Sequence, residues 1–130
     1  ATCASLAEAA MANGKTAVVY TSRTVIDLSD QTPEQLLAIS VRISDALTSV
    51  VSRLAKRPRF LIAKGGITSS DVGTIALAVK KARVLGQVQP GIPVWKIGEE
   101  SRFPGMSYII FPGNVGDEDT LRKIVEVLNR

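Results

Sequence analysis

Two glycine-rich turns constrain the fold of this chain more than any other feature of the sequence. The first, Lys64–Asp71, follows the apolar run Phe60–Ala63, and the second, Pro112–Gly116, follows Tyr108–Phe111. Each turn leads into a run that favours a helix. A buried strand that ends in such a turn and continues into a helix is typical of α/β proteins, whose ligands bind at the carboxyl ends of the strands.

The first two thirds of the chain alternate between helical and strand patterns. In chain order we predict a helix, a strand, a long helix, a second strand and a third helix, over Ala4–Ala12, Thr16–Thr21, Thr32–Arg57, Phe60–Ala63 and Ser70–Ala82. In the long helix, Thr32 is the predicted N-cap, Pro33 fits the first position, and Gln35 completes a capping box. This alternation predicts a mostly parallel sheet flanked by helices.

The last third has a different pattern. Arg83–Gln89 and Val94–Ile97 are short strand candidates separated by turn residues, which predicts a small antiparallel extension of the sheet. Tyr108–Phe111 then returns to the main sheet, and either Asp117 or Asp119 begins the last helix. No linker or internal repeat is visible, so residues 1–130 are predicted to form a single domain.

Composition excludes several kinds of chemistry. Cys3 is the only cysteine and histidine is absent, so the chain has no internal disulfide, no thiolate metal cluster and no histidine-based catalytic triad. No apolar run approaches the ~20 residues that span a bilayer, and we expect a cytoplasmic protein. The net charge of +4 and the 5% aromatic content do not favour nucleic-acid binding.

The two turns carry the predicted chemistry. Glycine lets the backbone approach a ligand closely, and free N–H groups at a helix N-terminus bind phosphate. Thr68, Ser69 and Ser70 add hydroxyl groups that suit phosphate oxygens or hydrated magnesium. A purely structural alternative stays open, because Thr68 and Asp71 also have the spacing of a capping box. Neither turn has the P-loop pattern, and Lys64 is either a phosphate contact or a solvated side chain.

Three motifs resemble a known family. The segments Ala63–Asp71, Pro90–Pro93 and Phe111–Gly116 are similar, in this order, to the nucleotide-binding domain of the four-carbon acid sugar kinases. These are the tetronate kinases, which act on erythronate, threonate and 3-oxo-tetronate. Val19–Ser22 looks like the earlier strand and turn of the family. The resemblance runs from about Gly14 to the C-terminus and implies ATP-dependent phosphorylation of a sugar-acid hydroxyl, with ATP and Mg²⁺ as cofactors.

The resemblance also implies a set of nucleotide contacts. It assigns the cradle of the nucleotide to seven residues, with two additional candidates in Ser22 and Lys64; the seven are Gly65, Gly66, Thr68, Ser69, Gly113, Asn114 and Gly116. The sequence differs from the family pattern in two places. Ile67 stands where many members have an acidic residue, and Phe111-Pro112 stands where many have Lys-Ser.

The family's substrate-binding domain, with its acidic N-terminal motif, precedes this region and is missing from the sequence. We therefore expect the chain to be the C-terminal part of a longer kinase, to act with that N-terminal domain on a small sugar acid, and to form a homodimer. Half of a cleft cannot position both reactants, so we expect little activity from the chain alone. The alternative is a non-catalytic interaction module that keeps the fold without nucleotide chemistry, which the Phe111-Pro112 replacement motivates; some members carry a type III effector-like label.

Overall fold

The computed structural model describes residues 2–22 and 29–130. Contacts divide the chain into two compact units, Ala1–Leu54 and Ala55–Arg130. The sequence predicts that the strand candidate Thr16–Thr21 is followed by a loop with Ser22, Arg23 and Thr24. Of these residues, Arg23 and Thr24 lie outside the described residues.

The described residues of the first unit form two helices, and each starts within one residue of its predicted position. Helix α1 spans Cys3–Ala12 and helix α2 spans Pro33–Ser52. The capping box of α2 is present, because the N–H of Gln35 donates to the Thr32 hydroxyl and the N–H of Thr32 donates to the Gln35 side chain. The helix ends at Ser52 and not near Arg57, where the next proline had suggested the boundary.

The predicted strand Thr16–Thr21 is wrong. These residues have no strand structure, and the side chains of Val18 and Tyr20 are 65% and 77% exposed. An apolar run becomes a strand only where a neighbouring strand accepts and donates its backbone hydrogen bonds. The four-stranded sheet of the described residues does not include this segment.

The second unit contains a four-stranded sheet. Its strands are β1 (Phe60–Lys64), β2 (Ala82–Gln89), β3 (Ile92–Ile97) and β4 (Ser107–Phe111), in the spatial order β1-β4-β3-β2. Only β1 and β4 are parallel, and the other two pairs are antiparallel. The prediction of a mostly parallel sheet is therefore wrong. Strands β2 and β3 are joined by a two-residue turn, and a turn this short permits only antiparallel pairing.

The helix after β1 starts earlier and ends earlier than predicted. Helix α3 spans Gly66–Asp71 and continues directly into a π-helical turn, Val72–Ala76. The helix can begin at once because Gly65 has a φ of 104°, a conformation that glycine adopts without strain. Ala78 ends it with a φ of 53°, and the N–H of Val79 returns to the carbonyl of Gly73.

A core cluster lies on one face of the sheet. It contains Ile92, Ile109, Phe111 and Ile124, each at most 1% exposed. Ile124 belongs to the last helix, α4 (Thr120–Leu128), whose apolar residues pack on that face. This arrangement leaves α3 and the π-helical turn to pack against the opposite face, where Tyr108 donates a hydrogen bond to the carbonyl of Ser69.

The loop between β3 and β4 is tied to the start of β2 by Glu100. Its carboxylate accepts the backbone N–H groups of Lys80 and Lys81 at 3.0 and 2.6 Å. These bonds, together with the N–H of Glu100 itself as the largest contribution, lower the pKa of the carboxyl group. The ionised form is therefore favoured by the folded state.

A change of Glu100 to Gln should make the stability of the protein less dependent on pH. The folded pKa lies below the ordinary value of about 4.3, so the carboxylate stabilises the fold above that pH and loses its effect as the pH falls through the folded pKa. We expect Glu100→Gln to lower the urea midpoint at pH 7, and we expect its difference from the wild type to shrink as the pH falls through the folded pKa. Glu99→Gln, at the exposed neighbouring position, is the control. Parallel midpoint curves for the wild type and Glu100→Gln would contradict this.

Candidate functional site

The two glycine-rich turns lie side by side at one edge of the sheet. Strands β1 and β4 are parallel neighbours, with Lys64 in register with Phe111, so both turns leave the sheet at the same end. The N–H of Gly65 donates to the carbonyl of Phe111 at 2.8 Å. The two backbones are so close that a Cβ on Gly113 would lie 3.8 Å from the Cα of Gly65. This edge is where α/β sheets bind ligands.

The first turn presents free backbone donors. Helix α3 has Gly65 as its N-cap and no side-chain capping bond. The first intrahelical bond is donated by Ser69 to the carbonyl of Gly65, so the N–H groups of Gly66, Ile67 and Thr68 have no acceptor among the described residues. The capping box proposed for Thr68 and Asp71 is not formed, because the helix has already begun at Gly66.

Ser69 is held in a structural contact. It is 5% exposed, and its hydroxyl donates to the carbonyl of Ala63 at 2.9 Å. Its own carbonyl accepts the Tyr108 hydroxyl at 2.6 Å. Burial raises the pKa of Tyr108 well above its usual range, so the phenol stays a neutral donor. These two bonds fix α3 on the sheet, and the Ser69 hydroxyl is already used as a donor.

The fold explains some glycines of the turns and leaves others unexplained. Gly65 and Gly116 have φ values of 104° and 85°, and a Cβ on Gly116 would lie 2.7 Å from the Thr120 hydroxyl oxygen. A Cβ on Gly66 would meet no atom within 4 Å, and the one on Gly113 would make only an ordinary contact. The protein itself does not require glycine at positions 66 and 113, whereas a ligand lying against the backbone would.

The start of helix α4 already holds a carboxylate. Asp117 accepts the N–H of Asp119 at 2.9 Å and the Thr120 hydroxyl at 3.1 Å. These bonds, with the N–H of Asp119 as the largest contribution, lower the pKa of Asp117. A second anion at this helix end would meet like charge. In the second turn, Gly113 and Asn114, which precede the helix, are both exposed.

Lys64 and Phe111 are in contact at the ends of their strands. The ammonium nitrogen of Lys64 lies 5.0 Å from the centre of the Phe111 ring, a cation–π geometry. Phe111 is 1% exposed and belongs to the core, so its ring does not block the exposed turns. Ser22 belongs to the first unit, and its predicted part in the site stays a prediction.

Sequence reasoning missed the open face beside α3. Tyr108, Trp95 and Val84 are paired across three neighbouring strands and lie on the face opposite the core. Their alternation with Ile109 and Val94 was a usable signal.

The described residues contain no group of three or more His, Cys, Asp or Glu placed to hold a metal ion. Within the same residues, no helix is both long enough and apolar enough to cross a bilayer.

The comparisons with known proteins agree with this geometry. Residues 1–121 match the nucleotide-binding C-terminal domain family, and the chain belongs to that family. Among curated proteins, no sequence matches it.

Solved structures show the same fold in longer chains. A domain of unknown function from Bordetella bronchiseptica, crystallised with bound citrate as a domain-swapped dimer, superposes with a TM-score of 0.62 at 17% identity, over 98% of this chain and 36% of that one. A second crystal form of the same protein superposes with a TM-score of 0.52 at 17% identity, over 98% of this chain and 38% of that one. A proposed tRNA synthase from Salmonella typhimurium LT2 superposes with a TM-score of 0.52 at 22% identity, over 73% of this chain and 24% of that one. The chain thus spans about a third of the length of the Bordetella protein.

Proposed function

We propose that this chain is the ATP-binding part of a kinase that phosphorylates a four-carbon sugar acid. The observation that carries the proposal is the pair of adjacent turns, in which Gly66 and Gly113 are glycines that the fold does not require. Free N–H groups at the start of α3 suit the phosphate oxygens, and the family is one of nucleotide-binding domains. The sugar-acid specificity rests on the resemblance of the three motifs described above.

In the proposed complex, the two turns make different contacts with the nucleotide. The N–H groups of Gly66, Ile67 and Thr68 donate to the phosphates, with the Thr68 hydroxyl beside them. Gly113 and Asn114 line the opposite side. Lys64, supported by the Phe111 ring, adds positive charge. Mg²⁺ fits this site as an ion carried by the phosphates and water, since magnesium commonly keeps several waters and few protein ligands.

The remaining parts of the kinase lie in a proposed N-terminal domain of the same protein, which binds the sugar acid and supplies the catalytic groups. Phosphoryl transfer depends on positioning both reactants and neutralising charge, so the chain alone binds nucleotide without appreciable turnover. A homodimer is part of the proposal, in line with the dimeric Bordetella protein. A cytoplasmic location follows from the use of ATP.

Replacing Gly66 with Val should abolish nucleotide binding without weakening the fold. At 100 times its dissociation constant, ATP with Mg²⁺ should stabilise the wild type by about 2.7 kcal/mol, measured by thermal unfolding. The new side chain meets no protein atom within 4 Å at its Cβ, so the unliganded variant should unfold as the wild type does. It would occupy the space of the phosphates, and the stabilisation should vanish.

The control is Ile67→Ala. Ile67 is 74% exposed and offers only its N–H to the site, so this variant should keep the stabilisation by ATP. An equal response of Gly66→Val and the wild type to ATP would contradict the site. If ATP does not stabilise the wild type and a protein partner is captured instead, the chain is the interaction module.

A further inference from the structure

The sheet has a second face that the helices of its own unit cover only in part. Side chains alternate between the two faces of a strand, so Tyr108 and Ile110 lie opposite the core residue Ile109. Trp95 is paired with Tyr108, and Val84 is paired with Trp95. The segment from Gly66 to Ala76 lies along one side of these residues and leaves a groove of about 510 Å³ next to it.

The chemistry of the groove suits a flat apolar ligand with a polar end. Its floor and far wall are Val79, Val84, Trp95 and Ile110. The hydroxyl-bearing residues Ser70 and Thr74 lie on the helical wall. The volume is within the range of about 300–1,000 Å³ typical of small-molecule sites.

The groove is continuous with the first glycine-rich turn, because Gly66 also lines it. Trp95 is in register with Tyr108, and Phe111, where the strand ends at the turns, is three residues further on. At the rise of a β-strand this distance is about 10 Å. That span is comparable with the separation between the base and the terminal phosphates of an extended nucleoside triphosphate.

We propose that this groove binds the nucleobase of the nucleotide, with the indole ring of Trp95 as the stacking surface. The inference rests on the proposed function, since the phosphates at the turns set the direction of the ligand. Any nucleobase can stack on an aromatic side chain, because every base has a π-face. A purine, with its larger ring system, covers more of the apolar surface formed by Val84 and Ile110 than a pyrimidine does.

Trp95 is the only tryptophan of the chain, so its fluorescence reports on the groove directly. Titration with ATP and with adenosine should quench the emission, since both carry the base. Inorganic tripolyphosphate, which carries only the phosphates, should leave the emission unchanged. Quenching by tripolyphosphate equal to that by ATP would overturn the stacking role.

A pair of variants on β2 separates the groove from the turns. Val84 lines the groove and is 64% exposed, whereas its neighbour Leu85 is 53% exposed and does not line it. Val84→Glu would place a carboxylate against the base and should weaken ATP binding, measured by calorimetry, at least about tenfold. Leu85→Glu introduces the same charge one residue away and should bind ATP as the wild type does.

The outcomes distinguish the two proposals. If ATP binds the wild type and Val84→Glu equally well, the base lies elsewhere and the groove proposal is overturned, while the phosphate site at the turns stands. If Gly66→Val loses ATP binding and Val84→Glu keeps it, the same conclusion holds. If the wild type gives no heat with ATP, both proposals are overturned together.

Discussion

Replacing Phe111 with Ala is expected to lower the free energy of unfolding by about 4 kcal/mol. The Phe111 side chain is 1% exposed and packs in the cluster with Ile92, Ile109 and Ile124. Its loss leaves a cavity between β4 and helix α4, whose lining residues cannot collapse fully because they are anchored in the sheet and the helix. Urea unfolding followed by circular dichroism measures the change.

The matched control is an aromatic side chain outside the core. Tyr20 is 77% exposed, so Tyr20→Ala should change the free energy of unfolding by no more than about 0.5 kcal/mol. Similar losses for Phe111→Ala and Tyr20→Ala would mean that Phe111 is not in the core. A small loss for Phe111→Ala would indicate that the ring faces a ligand or solvent.

Replacing Gly116 with Ala is expected to cost about 3 kcal/mol of stability, from a left-handed conformation and from steric overlap. Gly116 has a φ of 85°, and a Cβ there would lie 2.7 Å from the hydroxyl oxygen of Thr120. That hydroxyl accepts the N–H of Asp117 and donates to its carboxylate. It cannot move without breaking the bonds that begin α4, so the midpoint of urea unfolding should fall strongly.

Gly113→Ala, in the same turn, is the control for this prediction. The new Cβ would lie 3.8 Å from the nearest atom, the Cα of Gly65, which is an ordinary van der Waals contact. The stability of this variant should stay close to that of the wild type. A greater loss of stability for Gly113→Ala than for Gly116→Ala would contradict the conclusion that the fold requires glycine at position 116 and not at position 113.

Local sequence patterns predicted the elements that depend on neighbours in the chain. The capping box of Thr32 and Gln35 starts α2 where expected, because its hydrogen bonds join residues three apart. The strand Phe60–Lys64 and the second turn were also placed correctly within a residue or two. The helix after β1 was predicted to start at Ser70, whereas the positive φ of Gly65 allows a start four residues earlier.

The candidate site was predicted only in part, because local sequence patterns report on neighbours in the chain and not on distant contacts. The glycines at positions 65, 66, 113 and 116 were identified from the sequence, but their different roles depend on φ angles and on the approach of distant atoms. Ser69 was predicted to contact the ligand and that role stays a prediction; the structure adds that its hydroxyl donates to the carbonyl of Ala63. Trp95 was not considered, because its place beside the turn follows from strand pairing across the sheet.

Residue types and short-range spacing were enough to predict the α/β class and the two glycine turns at strand ends, and to exclude histidine and internal disulfide chemistry. Other features emerged only from the three-dimensional fold. Strands β1 and β4 are parallel neighbours, the apolar run Thr16–Thr21 is not a strand, and an apolar groove adjoins the first turn. Strand pairing joins residues far apart in the chain, and no local pattern of side chains specifies which strand will lie beside which.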